Sequence, residues 1–82
     1  MTRDEIKEAV LRALWNVAPE ADPATLRLDA DLRDQLDIDS MDSLNFAIGI
    51  HEQLHVDIPE ADWARLQTLD EVVDYVVEKT TA

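Results

Sequence analysis

Apolar residues recur at intervals of three and four along three stretches of this chain. That period, rather than the period of two expected of a strand, predicts its elements. In the first stretch Thr2 and Glu5 form a capping box, and Ile6, Val10, Leu14 and Val17 follow at helical spacing. Leu11, Trp15 and Ala18 widen the stripe, as a helix packed on more than one neighbour requires, and Pro19 and Pro23 end it. The first helix is therefore predicted over residues 3–17. The second stretch opens on Asp39, a strong N-cap type, and continues with Leu44, Ala47, Ile48, Ile50 and Leu54, which predicts a helix over residues 40–54. In the third, Thr68 and Glu71 make a second capping box ahead of Leu69, Val72, Val73, Val76 and Val77. This β-branched run suits a strand by composition, but the cap and the spacing predict a helix.

Between these stretches, residues 18–38 form a long connection. Leu26, Leu28, Leu32 and Leu36 punctuate it, and their burial should pin it to the bundle as an ordered crossover. Pro59 suits the first turn of a short helix over residues 60–66. Gly49, the only glycine, lies inside the second helix at a cost of roughly 1 kcal/mol relative to alanine. Close approach of a neighbouring backbone is the preferred reason for it, and room for a ligand is the other. The predicted fold is all-α: a small four-helix bundle of three longer helices and one short third helix, with a long first loop, in a single domain spanning residues 1–82.

Composition narrows what such a bundle does. Nineteen acids against seven bases leave a net charge of −12, and residues 29–62 hold ten of the acids and a single base, Arg33. That field repels nucleic acid and anionic membrane and attracts partners with basic patches. There is no cysteine, hence no disulfide, thiolate metal site or cysteine nucleophile. No apolar run approaches membrane length, and the N-terminus lacks the apolar core of a signal peptide, so a cytoplasmic protein is expected; a monomer is expected as well. Ser40 stands at the join of the acidic loop and the second helix. Unpaired N–H groups and the positive end of the helix dipole collect there and suit an anion, phosphate above all. As a plain reading of the residues, a capping role for this serine is the commoner one.

The string from Leu36 through Asp39, Ser40, Met41 and Asp42 resembles the phosphopantetheine attachment motif of acyl carrier proteins. Ile58-Pro59-Glu60 and Asp74-Tyr75-Val76 also fall where that family has similar residues, and the resemblance runs without gaps from Leu32 to Val76. It implies a carrier rather than an enzyme. Ser40 would bear 4'-phosphopantetheine taken from coenzyme A by a phosphopantetheinyl transferase, and an acyl group would ride on the arm as a thioester. A loading ligase and downstream synthases or transferases with basic surfaces would be the other partners. Asp42-Ser43-Leu44 matches the family tripeptide more literally, yet Ser40 has Leu36 four residues before it and Asp42 two after it, as the motif asks.

The resemblance further implies partner recognition by Asp39, Asp42, Glu52, Glu60 and Asp62. Acids at a helix start are the equal alternative for Glu60 and Asp62. It also implies an acyl groove lined by Leu32, Ile50, Trp63, Leu66 and Tyr75. Asp37 replaces the motif's usual glycine, and Asn45 and His51 stand where carriers of fatty acid synthesis have glutamates. A specialised pathway is therefore expected over housekeeping fatty acid synthesis, among fatty acid, polyketide, peptide and aminoacyl systems. The bulk of Trp63 points to a short-chain or aminoacyl load, with simple core filling as the alternative.

Other readings fare worse. A calcium loop opening at Asp37 needs an oxygen ligand at Met41, glycine at Asp42 and glutamate at Ile48. His51 and His55 are spaced to share a zinc, but the sequence fixes no third ligand, and exposed polar residues are the commoner role. Ser40, His51 and an aspartate have the residue types of a hydrolase triad without an oxyanion hole. The alternative from another class is an unmodified acidic module that binds a basic protein through its second helix.

Overall fold

Helix formation begins where the capping chemistry puts it. A computed structural model of the chain describes residues 2–22 and 24–81. Helix α1, Arg3–Val17, starts with the predicted box: the Glu5 N–H donates to Thr2 Oγ1 at 3.2 Å and the Thr2 N–H to Glu5 Oε1 at 3.2 Å. It stops at Ala18, whose N–H still reaches the Leu14 carbonyl at 2.8 Å, because Pro19 disfavours a helical residue before it. Pro23, the second predicted stop, lies outside the described residues. Ile6, Ala9, Val10, Ala13 and Leu14 are buried, and α1 packs on both of the other long helices, as its broad stripe predicted. Trp15 departs from that stripe. It is 37% exposed, and its indole N–H donates to the Ala21 carbonyl at 2.6 Å, anchoring the loop that follows.

The crossover is ordered but not free of helix. A single turn, α2, Leu32–Gln35, is capped by Asp31, whose carboxylate accepts from the Arg33 N–H at 2.8 Å. A four-residue helix is too short for periodicity to reveal it. Leu32 and Leu36 are buried, and Leu26 and Leu28 are half-buried against the same core. Backbone bonds complete the anchoring, from Leu32 N–H to the Gln67 carbonyl at 2.8 Å and from Asp70 N–H to the Leu28 carbonyl at 3.1 Å. The Gln35 side chain closes the loop on itself through Arg27 and Ala30.

Helix α3 runs over Ser40–Leu54 and ends on His55 in the left-handed conformation, with φ 56°. Val56 and Ile58 are then buried and lead to the short helix predicted over residues 60–66, which is a 3₁₀ helix, Glu60–Arg65. Pro59 occupies the cap position rather than the first turn. Helix α4, Leu69–Thr81, opens on the second capping box, with both bonds at 3.1 Å, and buries Leu69, Val72, Val73, Tyr75 and Val76. Among the described residues there is no strand, so the all-α bundle stands with one short helix added.

Two details of α3 settle expectations. A Cβ built on Gly49 would meet the Ala13 Cβ at 3.2 Å, so the glycine serves the close approach of α1. The apolar face of α3 is only in part the one that spacing suggested. Ile50 and Leu54 are buried, but Leu44 is 42% and Ile48 45% exposed. Apolar residues occupy more than one side of this helix, and its neighbours cover only part of it.

Candidate functional site

Asp39 sets the geometry at the start of α3. Its carboxylate accepts the Asp42 N–H at 2.9 Å, and Asp42 Oδ2 accepts the Asp39 N–H at 3.4 Å, which makes a reciprocal box of two acids. The Ser43 N–H bonds the Asp39 carbonyl at 3.0 Å. These bonds leave the N–H groups of Ser40 and Met41 without a partner among the described residues, at the positive end of the helix dipole. Ser40 is exposed, and its hydroxyl makes no hydrogen bond to any described residue. Ser43, one turn on, is half-buried and lines a cavity. The Asp39 carboxylate, and not the Ser40 hydroxyl, therefore caps the helix, and the Ser40 hydroxyl is left available.

That cavity, of about 460 Å³, lies among α2, α3 and the 3₁₀ helix. Of the predicted groove residues, Leu32, Ile50, Trp63 and Leu66 line it. Tyr75 does not. It is 3% exposed, and its hydroxyl donates to Asp62 Oδ2 at 2.6 Å. The Arg65 guanidinium lies 5.8 Å and the Lys79 ammonium 5.3 Å from its ring centre. Burial first, and then the bond to Asp62, push the Tyr75 phenol up to about 12. Trp63 is half-buried, and its indole N–H reaches the Ile58 carbonyl at 3.3 Å. Phe46 and Ile58 were not anticipated in the lining. Phe46 was legible, since it sits one turn before Ile50 on the same helix face.

The five acids expected in recognition divide by role. Asp39 and Asp42 flank Ser40 and are tied into the cap. Glu60 is exposed beside the cavity, while Asp62 is half-buried and engaged by Tyr75. Glu52 borders a separate open groove with Arg12 and Trp15. Met41, Leu44 and Ile48 form an exposed apolar stripe that starts next to Ser40. His51 and His55 are both exposed. Among the described residues, no three His, Cys, Asp or Glu side chains are grouped to hold a metal, and no helix is long and apolar enough to cross a membrane.

Comparison with known proteins bears on this geometry directly. The phosphopantetheine attachment site family matches residues 9–76. An acyl carrier protein of Rubrobacter xylanophilus is 28% identical over an alignment of 79 residues that covers 93% of this chain and 98% of that protein. One from Thermosynechococcus vestitus is 29% identical over 82 residues, the full length of both. A third, from Campylobacter fetus, is 29% identical over 73 residues, 89% of this chain and 88% of that protein.

Proposed function

From the premise that this chain belongs to the phosphopantetheine-binding acyl carrier protein family, and is a carrier with covalent 4'-phosphopantetheine rather than an enzyme, we propose that Ser40 is the attachment residue of a single carrier domain spanning residues 1–82. One observation carries this: Ser40 presents an exposed hydroxyl with no intramolecular bond, in the first turn of a helix capped by its neighbour. Ser43, the rival, is half-buried against the cavity.

The residues around Ser40 suit the group. Its oxygen is free to attack the pantetheine-bearing phosphorus of coenzyme A while a phosphopantetheinyl transferase is docked; the pyrophosphate bond breaks, 3',5'-ADP leaves and the hydroxyl proton passes to a base of the transferase or to water. The unbonded N–H groups of Ser40 and Met41 stand at the end of the helix that favours the resulting phosphodiester anion. Asp39 and Asp42 hold that end rigid and add negative charge for a basic partner, and Glu52 and Glu60 extend the field. The stripe of Met41, Leu44 and Ile48 supplies apolar contact beside it. When attached, the arm contributes a terminal thiol that holds the acyl group as a thioester. Leu32, Ile50, Trp63 and Leu66 then offer that group shelter from water.

The pathway we assign is a specialised one, with a short-chain or aminoacyl load. Asn45 and His51, both exposed on α3, replace glutamates usual in carriers of fatty acid synthesis, and the indole of Trp63 occupies part of the cavity wall. Intact mass after incubation with coenzyme A and a broad-specificity transferase tests the attachment. Wild type and Ser43→Ala are expected to gain one phosphopantetheine and Ser40→Ala none. Modification of Ser40→Ala would move the site to another residue, and an unchanged wild-type mass across several transferases would favour the unmodified module.

A further inference from the structure

The cavity wall is not uniformly apolar. Ile38, Phe46, Ile50 and Ile58 face it together with Arg33, Ser43, Glu60 and Gln67. Arg33 is the only cation among residues 29–62, and its guanidinium makes no ion pair or hydrogen bond with any described residue; only its backbone N–H is engaged, by Asp31. Gln67 spends its carbonyl on the Leu32 N–H, while its side-chain amide has no partner among the described residues. The Glu60 carboxylate and the Ser43 hydroxyl are likewise unengaged. Arg33, Glu60 and Gln67 are exposed at the rim, so they meet the part of a load nearest the opening.

We infer that Arg33 and Gln67 make this cavity selective for a short acyl load bearing an uncharged oxygen beyond its thioester carbonyl. The inference rests on the carrier reading and narrows it. A plain alkyl group drawn past the rim displaces water from these donors and returns nothing to them. A carboxylate is attracted by Arg33 but meets Glu60, Asp31 and a molecule of net charge −12. An ammonium is attracted by the acids but meets Arg33. A hydroxyl or carbonyl oxygen accepts a hydrogen bond from Arg33 or Gln67 and encounters no like charge. Between a short oxygenated acyl group and an aminoacyl one, this selects the former. Arg33 and Gln67 are specificity-determining donors here, and neither takes part in attachment.

The test loads wild type, Arg33→Met, Arg33→Gln and Gln67→Leu with butyryl, β-hydroxybutyryl, succinyl or β-alanyl pantetheine from the matching coenzyme A thioesters. The rate of thioester loss to hydroxylamine is then read for each, relative to the same thioester on free pantetheine. In wild type the β-hydroxybutyryl group should last roughly two- to tenfold longer than butyryl, the factor an ordinary net hydrogen bond supplies. Succinyl and β-alanyl should gain less. Arg33→Met should erase most of the preference and Gln67→Leu part of it, whereas Arg33→Gln, which keeps a donor without the charge, should retain it. Four loads taken up and shielded alike, or a preference unchanged in Arg33→Met, would overturn the selectivity alone. A wild-type chain that accepts none of the loads would overturn the carrier reading, and the selectivity with it.

Discussion

Tyr75 is buried up to its hydroxyl, and that hydroxyl is bonded to a carboxylate that would repel it if it ionised. The folded chain thus keeps the phenolic proton to about pH 12, whereas the unfolded chain releases it near 10. Because the folded-state value is the higher one, the associated stability is complete below pH 10 and falls as pH rises toward 12. A displacement of that size corresponds to roughly 2–3 kcal/mol. Urea unfolding across that range should show the loss in wild type and little of it in Tyr75→Phe. The chain's only tyrosine also makes the ultraviolet titration unambiguous. Gly49 shows sterics at the same scale. With the Ala13 Cβ 3.2 Å from a built Cβ, Gly49→Ala sets a helix-propensity gain of about 1 kcal/mol against crowding, and its net effect should be small. Gly49→Val has no such balance and should cost roughly 1–3 kcal/mol by overpacking, readable in the same unfolding experiment; a stabilised valine variant would mean that α1 and α3 are not held at this separation.

Among the elements, α3 combines a structural task with a functional one at a single position. Asp39 caps the helix and also places a negative charge beside Ser40. Asparagine caps as well as aspartate, so Asp39→Asn should keep stability to within about 1 kcal/mol, while Asp39→Ala should lose about that much or more. If the charge guides the transferase, Asp39→Asn should still lower kcat/KM for pantetheinylation several-fold and flatten its salt dependence. Equal rates for wild type and asparagine would leave the residue with capping alone. The 3₁₀ helix contrasts with α3. It has no side-chain cap and is held to its surroundings by the Tyr75–Asp62 and Trp63–Ile58 bonds. That bond explains why Asp62, expected in recognition, is also a structural residue.

The whole molecule measures 32 × 26 × 20 Å and carries a net charge of −12. At about 0.01 M salt the screening length of roughly 30 Å spans it, so nearly every acid repels every other, whereas at about 1 M it falls to roughly 3 Å. The two ion pairs among the described residues, Arg3–Asp74 and Arg27–Asp29, are exposed and add little that salt could remove. Raising salt between those limits should therefore raise Tm. Relief of even 1 kcal/mol corresponds to roughly 4–8 °C for a domain of this size, measurable by circular dichroism. A falling Tm would show that specific pairs outweigh the general repulsion.

Three long helices, both Thr–Glu capping boxes, the acidic zone around Ser40 and the likeness to a carrier motif are legible in residue order, with no knowledge of neighbours in space. All of these are written in residues three or four apart, or in an unbroken string. Tertiary structure alone decided which apolar residues are covered. Spacing marks Leu44 and Ile48 as readily as Ile50, and only the placement of neighbouring helices leaves the first two in water. It likewise took Tyr75 out of the groove and gave its hydroxyl to Asp62, thirteen residues away. The single turn of α2 and the polar wall at Arg33 and Gln67 depend on a loop folding back onto a distant segment, and no local period records that.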